Sequence, residues 1–135
     1  MVNAADIERV LIDEQQIAER IKEVAAQIDV DYQRKMPIVI CILKGSLVFC
    51  ADLIRAMKTP VTVEFMKVSS YGASTTSSGK LSVALDILSN IENQDVLIVE
   101  DIIDSGHTMA ALTEMLRTRR PASLRIITLL DKPAR

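Results

Sequence analysis

Two kinds of hydrophobic pattern alternate along this chain. Ile17, Ile21, Val24 and Ile28 fall at intervals of four, three and four, while Glu14, Gln15, Glu19, Arg20 and Lys22 fill the other side. That spacing predicts a surface helix packing one stripe on a sheet, with Asp13 placed to cap it and a short apolar run within residues 9–12 ahead of it. A membrane-lying or partner-binding helix is the alternative, but a stripe of this width is what globular helices ordinarily carry. Pro37 then opens Ile38-Val39-Ile40-Cys41-Ile42-Leu43, uniformly apolar and therefore suited to a central parallel strand covered on both faces. The almost entirely apolar stretch Leu47 to Met57 predicts a second helix, and Val61 to Val68, β-branched and partly aromatic, a second strand.

Leu81 to Leu88 reads as a returning strand and Asn90 to Gln94 as a polar turn. Val96-Leu97-Ile98-Val99 repeats the uniformly apolar strand pattern. Met109, Leu112, Met115 and Leu116 are spaced as one buried helix face, which Pro121 stops, and Ser123 to Leu130 is the next strand. Arg117, Arg119 and Arg120 cluster where that helix ends. A nucleic-acid patch is conceivable, but cations at a helix C-terminus are the routine arrangement, so solvated capping charges are expected. With no internal repeat or linker, the expected architecture is α/β: one doubly wound domain with a mostly parallel central sheet flanked by helices.

Composition adds limits. A length of 135 residues fits one core, and 49% hydrophobic with 25% charged residues is ordinary for a globular chain. The formal net charge of -2 provides no bulk field for a polyanion, and no apolar run approaches a membrane span, so neither nucleic acid nor membrane is an expected partner. Cys41 and Cys50 lie in apolar contexts without metal-ligand spacing and follow no secretory leader pattern. Buried thiols in a reducing cytoplasm are the preferred reading.

The chemistry gathers at predicted strand ends. Glu100 and Asp101 are adjacent carboxylates that point to opposite faces and can address two neighbouring groups of one ligand. Asp104-Ser105-Gly106-His107-Thr108, just before a helical pattern, can aim backbone N–H groups and two hydroxyls at an anion with a helix dipole behind them. The pair and the turn together read as a phosphate cradle beside diol-binding carboxylates. Adjacent acids at a strand end are, however, more often merely solvated, and an aspartate before Ser-Gly is more often a turn or cap. Lys44 and Gly45 form either a second anion site or a plain solvated helix start. Nine of the eleven residues from Ser69 to Gly79 are Ser, Thr or Gly, too little apolar surface to offset their ordering entropy, so mobility is expected there. Either a simple connection or a lid fits. Lys44, Glu100, Asp101, Asp104 and Lys132 all fall at carboxyl ends of strands, where open α/β sheets gather ligands.

Val96 to Thr108, V-L-I-V-E-D-I-I-D-S-G-H-T, resembles the phosphoribosyl-pyrophosphate motif of the type I phosphoribosyltransferases, in their purine-salvage, hypoxanthine-guanine branch. Lys44-Gly45, Ser70-Tyr71 and Lys132 resemble further segments of that family in the same order, so the similarity covers nearly the whole chain. The resemblance implies transfer of a 5-phosphoribosyl group from phosphoribosyl pyrophosphate to a 6-oxopurine. It implies that Lys44 and Gly45 grip pyrophosphate, through a backbone amide exposed by a non-proline cis peptide between Leu43 and Lys44, and that Ser70 and Tyr71 begin a lid that excludes water from the ribosyl cation. Glu100 and Asp101 would hold the ribose hydroxyls and magnesium, and Ser105, Gly106, His107 and Thr108 the 5-phosphate. Asp104 would accept the proton from the attacking purine nitrogen, Lys132 would donate to the exocyclic oxygen, and Ile102 would lie against the base. His107, the only histidine, enters through its backbone and not as the base.

The family also suggests a homodimer or homotetramer. Its members usually continue past the Lys132 segment with a strand that stacks an aromatic ring on the purine and adds an acidic residue to the metal site. Here the sequence ends at Arg135, so a phosphoribosyltransferase domain over residues 1–135 without that segment is expected, whether the chain is natural or shortened. A non-catalytic phosphoribosyl-pyrophosphate or nucleotide-binding regulatory module on the same fold is the alternative function.

Overall fold

The computed structural model describes residues 14–70, 81–103 and 107–131, without the side chains of residues 70, 101–103 and 129–131. The predicted cap Asp13 and the apolar run before it lie outside these residues. Helix α1 (Glu14–Asp31) leads to strand β1 (Ile38–Ile42), helix α2 (Leu47–Ala56), strands β2 (Thr62–Ser70), β3 (Leu81–Leu85) and β4 (Asp95–Ile103), helix α3 (His107–Arg117) and strand β5 (Ser123–Asp131). The sheet order is β3-β2-β1-β4-β5, parallel except for the antiparallel β2–β3 edge pair. This is the doubly wound α/β sheet the apolar strand patterns imply.

The uniform apolarity of β1 has a direct cause, since both of its faces are covered and all five residues are buried. Val39 and Cys41 join Leu97 and Val99 of β4 beneath α1 and α2, packed on Ile21, Ala25, Ile28, Phe49 and Leu53. Ile38, Ile40 and Ile42 join Val96 and Ile98 on the opposite face, against Met109, Leu112 and Leu116 of α3. The helical stripes from Ile17 and from Met109 are thus the two lids of one sheet. Each fully buried aliphatic side chain contributes roughly 1.5–3 kcal/mol.

Element ends depart from the sequence pattern in three places. β2 runs on through Ser69 and Ser70 because β3 returns alongside it, with Ser70 opposite Leu81. β3 stops at Leu85, short of Leu88, because Asp86 turns to Arg119 and the backbone N–H of Leu88 donates to the Glu64 carboxylate at 3.1 Å. β4 continues past Val99 to Ile103 because β5 keeps pairing with it as far as Ile103 and Asp131.

Of the arginine cluster, Arg117 is the exposed cation in the last turn of α3 that the sequence pattern implies, and Arg119 departs from it. Arg119 is not a solvated capping charge. It forms a bidentate pair with Asp86, at 3.0 and 2.7 Å, and Arg120 reaches Glu92 at 3.2 Å, so both tie the end of α3 to the segment before β4. Among the described residues no helix is long and apolar enough to cross a membrane.

Candidate active site

In this strand order the chain winds from β1 toward β2 and β3 on one side, and from β4 to β5 on the other. β1 and β4 are therefore neighbours whose following loops leave in opposite directions, the topological switch point at which open α/β sheets bind ligands. Pairing of β1 with β4 ends at Cys41 and Val99, whereas β4 and β5 run on together. Glu100 and Asp101 thus stand beyond the last rung shared with β1, on the carboxyl edge of the sheet.

The loop after β1 is anchored at both ends. Its first amide, Leu43 N–H, donates to the Met66 carbonyl of β2 at 2.8 Å. At its far end the Ser46 hydroxyl donates back to the Ile42 carbonyl, and Leu47 N–H donates to the Lys44 carbonyl at 3.2 Å. Between these anchors Lys44 and Gly45 are exposed, and neither donates a hydrogen bond to a described residue. The Leu43–Lys44 peptide is cis, the isomer the family resemblance implies.

Beneath the loop sits a small polar chain. The Cys41 Sγ and Ser46 Oγ atoms lie 3.4 Å apart, and Cys50 is hydrogen-bonded to Cys41. That bond, together with burial, pushes the Cys50 thiol well above the ordinary cysteine range and keeps it a donor. Both cysteines are free and buried, as their apolar contexts indicate.

The other sequence-designated residues fall as follows. Glu100 is half-buried and in register with Thr128 of β5, and each of these two residues has an interaction partner. Asp101 and Ile102 continue β4, Ile102 pairing with Leu130, and Ser70 closes β2. His107, exposed, opens the eleven-residue α3, and Thr108 is half-buried in its first turn. The α3 N-terminus therefore follows directly on the connection that leaves β4, and its dipole favours an anion there. Tyr71, Asp104, Ser105, Gly106 and Lys132 lie outside the described residues. The sheet does fix where their flanking elements end, since β1, β4 and β5 are consecutive parallel neighbours ending on one edge.

Ser46 is the residue that pattern reading passes over. A serine ahead of an apolar helix looks like an N-cap, yet its hydroxyl makes no capping bond to α2 and turns inward instead. The signal available in the sequence was its place immediately after Lys44-Gly45.

Comparisons with known proteins agree with this geometry. Residues 10–135 match the phosphoribosyl transferase domain family. The hypoxanthine-guanine phosphoribosyltransferase of Bacillus subtilis is 48% identical over 129 residues, which cover 96% of this chain and 72% of that protein. That of Staphylococcus aureus is 46% identical, covering 96% of this chain and 73% of its own. A crystal structure of the Staphylococcus aureus hypoxanthine phosphoribosyltransferase superposes with a TM-score of 0.89 at 46% identity, over 96% of this chain and 70% of that one. With the switch-point sheet and similarity across almost its whole length, this chain belongs to the phosphoribosyltransferase family, in its hypoxanthine-guanine branch.

Proposed function

We propose that this protein transfers the 5-phosphoribosyl group from phosphoribosyl pyrophosphate to hypoxanthine or guanine, forming IMP or GMP and releasing pyrophosphate. The observation that carries the reading is the switch point, where the open Lys44-Gly45 loop and the Glu100-Asp101 end of β4 occupy adjacent strand ends.

Heterolysis at the anomeric carbon leaves positive charge on the ribose and negative charge on the departing pyrophosphate. Backbone amides of Lys44 and Gly45 receive the pyrophosphate, and Glu100 and Asp101 hold the ribose hydroxyls. Ser105, Gly106, His107 and Thr108 bind the 5-phosphate at the N-terminus of α3. Asp104 takes the proton from the purine nitrogen as it attacks. Lys132 donates to the exocyclic oxygen, Ile102 lies against the base, and Ser70 and Tyr71 close the lid that keeps water from the ribosyl cation.

Magnesium fits this donor set. Carboxylate oxygens suit a hard cation, one that can take its remaining oxygen ligands from substrate and water. Glu100 and Asp101 would hold it, and when bound it supplies charge neutralisation on the pyrophosphate. We place the protein in the cytoplasm, in keeping with two unpaired thiols. Exposed Leu47, Val48, Val63 and Phe65 leave apolar surface on α2 and β2, which a homodimer or homotetramer would cover.

The test is incubation with phosphoribosyl pyrophosphate, magnesium and each purine, followed by chromatography for nucleotide. Magnesium-dependent IMP or GMP is the expected product. Tight phosphoribosyl-pyrophosphate binding without product would mark the chain as a non-catalytic binding module.

A further inference from the structure

We infer that Ser46 is a positioning residue for pyrophosphate recognition, acting through the Lys44-Gly45 loop; this deepens the function proposed above and rests on it. Ser46 is the one buried polar or charged residue among those described, with 0% exposure, so its hydroxyl cannot touch a ligand. A hydroxyl sealed from water costs stability unless its hydrogen bonds are made, and here both of its contacts bear on the loop. It donates to the carbonyl of Ile42, the last residue of β1, and that single bond spans Leu43, Lys44 and Gly45. With its proton directed to that carbonyl, its oxygen is left to accept from the Cys41 thiol, 3.4 Å away on β1.

The consequence is a loop clamped at each end and open in the middle. Leu43 is fixed to β2 through Met66, and Ser46 fixes the return to β1, while its own carbonyl accepts the Cys50 amide of α2 at 2.8 Å. Only Lys44 and Gly45 stand exposed between those ties. An anion that binds through their amides needs them aimed in advance, and holding binding groups in the productive geometry is what lowers the entropic cost of association. Removing the hydroxyl loosens the return end, leaving only the backbone bonds of Cys50 to Ser46 and Leu47 to Lys44 there, without changing any group that meets the ligand. The loss should therefore appear in pyrophosphate and phosphoribosyl-pyrophosphate affinity and spare the purine.

The experiment compares wild type, Ser46→Ala and Ser46→Cys in the full chain, with thermal unfolding run on each. For Ser46→Ala, the KM for phosphoribosyl pyrophosphate and the calorimetric Kd of inorganic pyrophosphate should rise roughly tenfold, with the purine KM little changed. Ser46→Cys, which keeps a donor, should recover part of that loss. An unchanged KM and pyrophosphate Kd in a folded Ser46→Ala protein would overturn the inference, as would an equal loss for both substrates together with a lowered Tm. If wild type binds pyrophosphate but makes no nucleotide, the proposed catalysis falls while the pyrophosphate comparison still decides the role of Ser46. If wild type binds no pyrophosphate, both fall.

Discussion

Two loops at opposite ends of the sheet use the same resource in opposite ways. At the base, after α2, the backbone amides of Lys58 and Thr59 and the Thr59 hydroxyl all donate to the carboxylate of Asp29 on α1, at 2.6 to 3.1 Å. At the carboxyl edge, after β1, the loop is tied at its ends while Lys44 and Gly45 between them are exposed and donate to no described residue. The base carries its own anion and is closed to any other. The Lys44-Gly45 loop at the edge is held at both ends, and among the described residues no carboxylate takes its amides, which is what a site for an anionic substrate requires. Cations near a cleft therefore do not by themselves mark a site. Arg34, Lys35 and Lys58 line a depression of about 450 Å³ at the base, but its amide donors are already taken by Asp29.

The contrast can be broken most severely at the edge. Asp104→Asn should lower kcat by roughly 10²–10⁴ with little change in Tm, read as nucleotide formed per minute beside a thermal melt. At the base the pattern should invert. Asp29→Ala strips the acceptor from three donors and should cost about 1–2 kcal/mol in a urea melt, with kcat for the folded fraction retained. Loss of kcat without loss of stability in that variant would merge the two regions.

Acid sharpens the same distinction. Burial alone would raise the Asp29 carboxyl, but the Thr59 hydroxyl and the Lys58 and Thr59 amides outweigh it and hold it below the usual carboxylate range. The Arg119 guanidinium does the same for Asp86, against burial. A folded pKa below the unfolded one means stability that is present above roughly pH 4 and is lost as pH falls through the folded value. The stability gap between wild type and Asp29→Asn, followed by urea melts, should be constant above about pH 5 and shrink below about 4. The smallest effect belongs to Arg119→Ala, which leaves Asp86 unpaired at a half-exposed position and should cost about 0.5–1 kcal/mol with no kinetic change.

What could be read from the sequence follows from how local each signal is. β1 and β4 announced themselves because a strand covered on both faces needs apolar residues at every position, and Ile38 to Ile42 and Val96 to Val99 supply them. The α1 and α3 stripes were legible for the same reason. The place of the candidate site at the carboxyl ends of β1 and β4 was legible too, since Lys44 and Glu100-Asp101 each follow such a run. Interactions spanning long separations were hidden. Nothing near Arg119 tells of Asp86, 33 residues earlier, or near Leu85 that Glu64 will end its strand. Ser46 was hidden otherwise, because a capping serine and an inward-turned one look alike until the helix it precedes is docked.

Amide hydrogen exchange with and without phosphoribosyl pyrophosphate separates the two ends of the sheet in a single experiment. Protection on ligand addition is expected at Lys44, Gly45 and residues 104–108, with Lys58 and Thr59 unchanged. Protection at Lys58 and Thr59, or none at Lys44 and Gly45, would contradict the assignment of the open loop as the substrate's anion site.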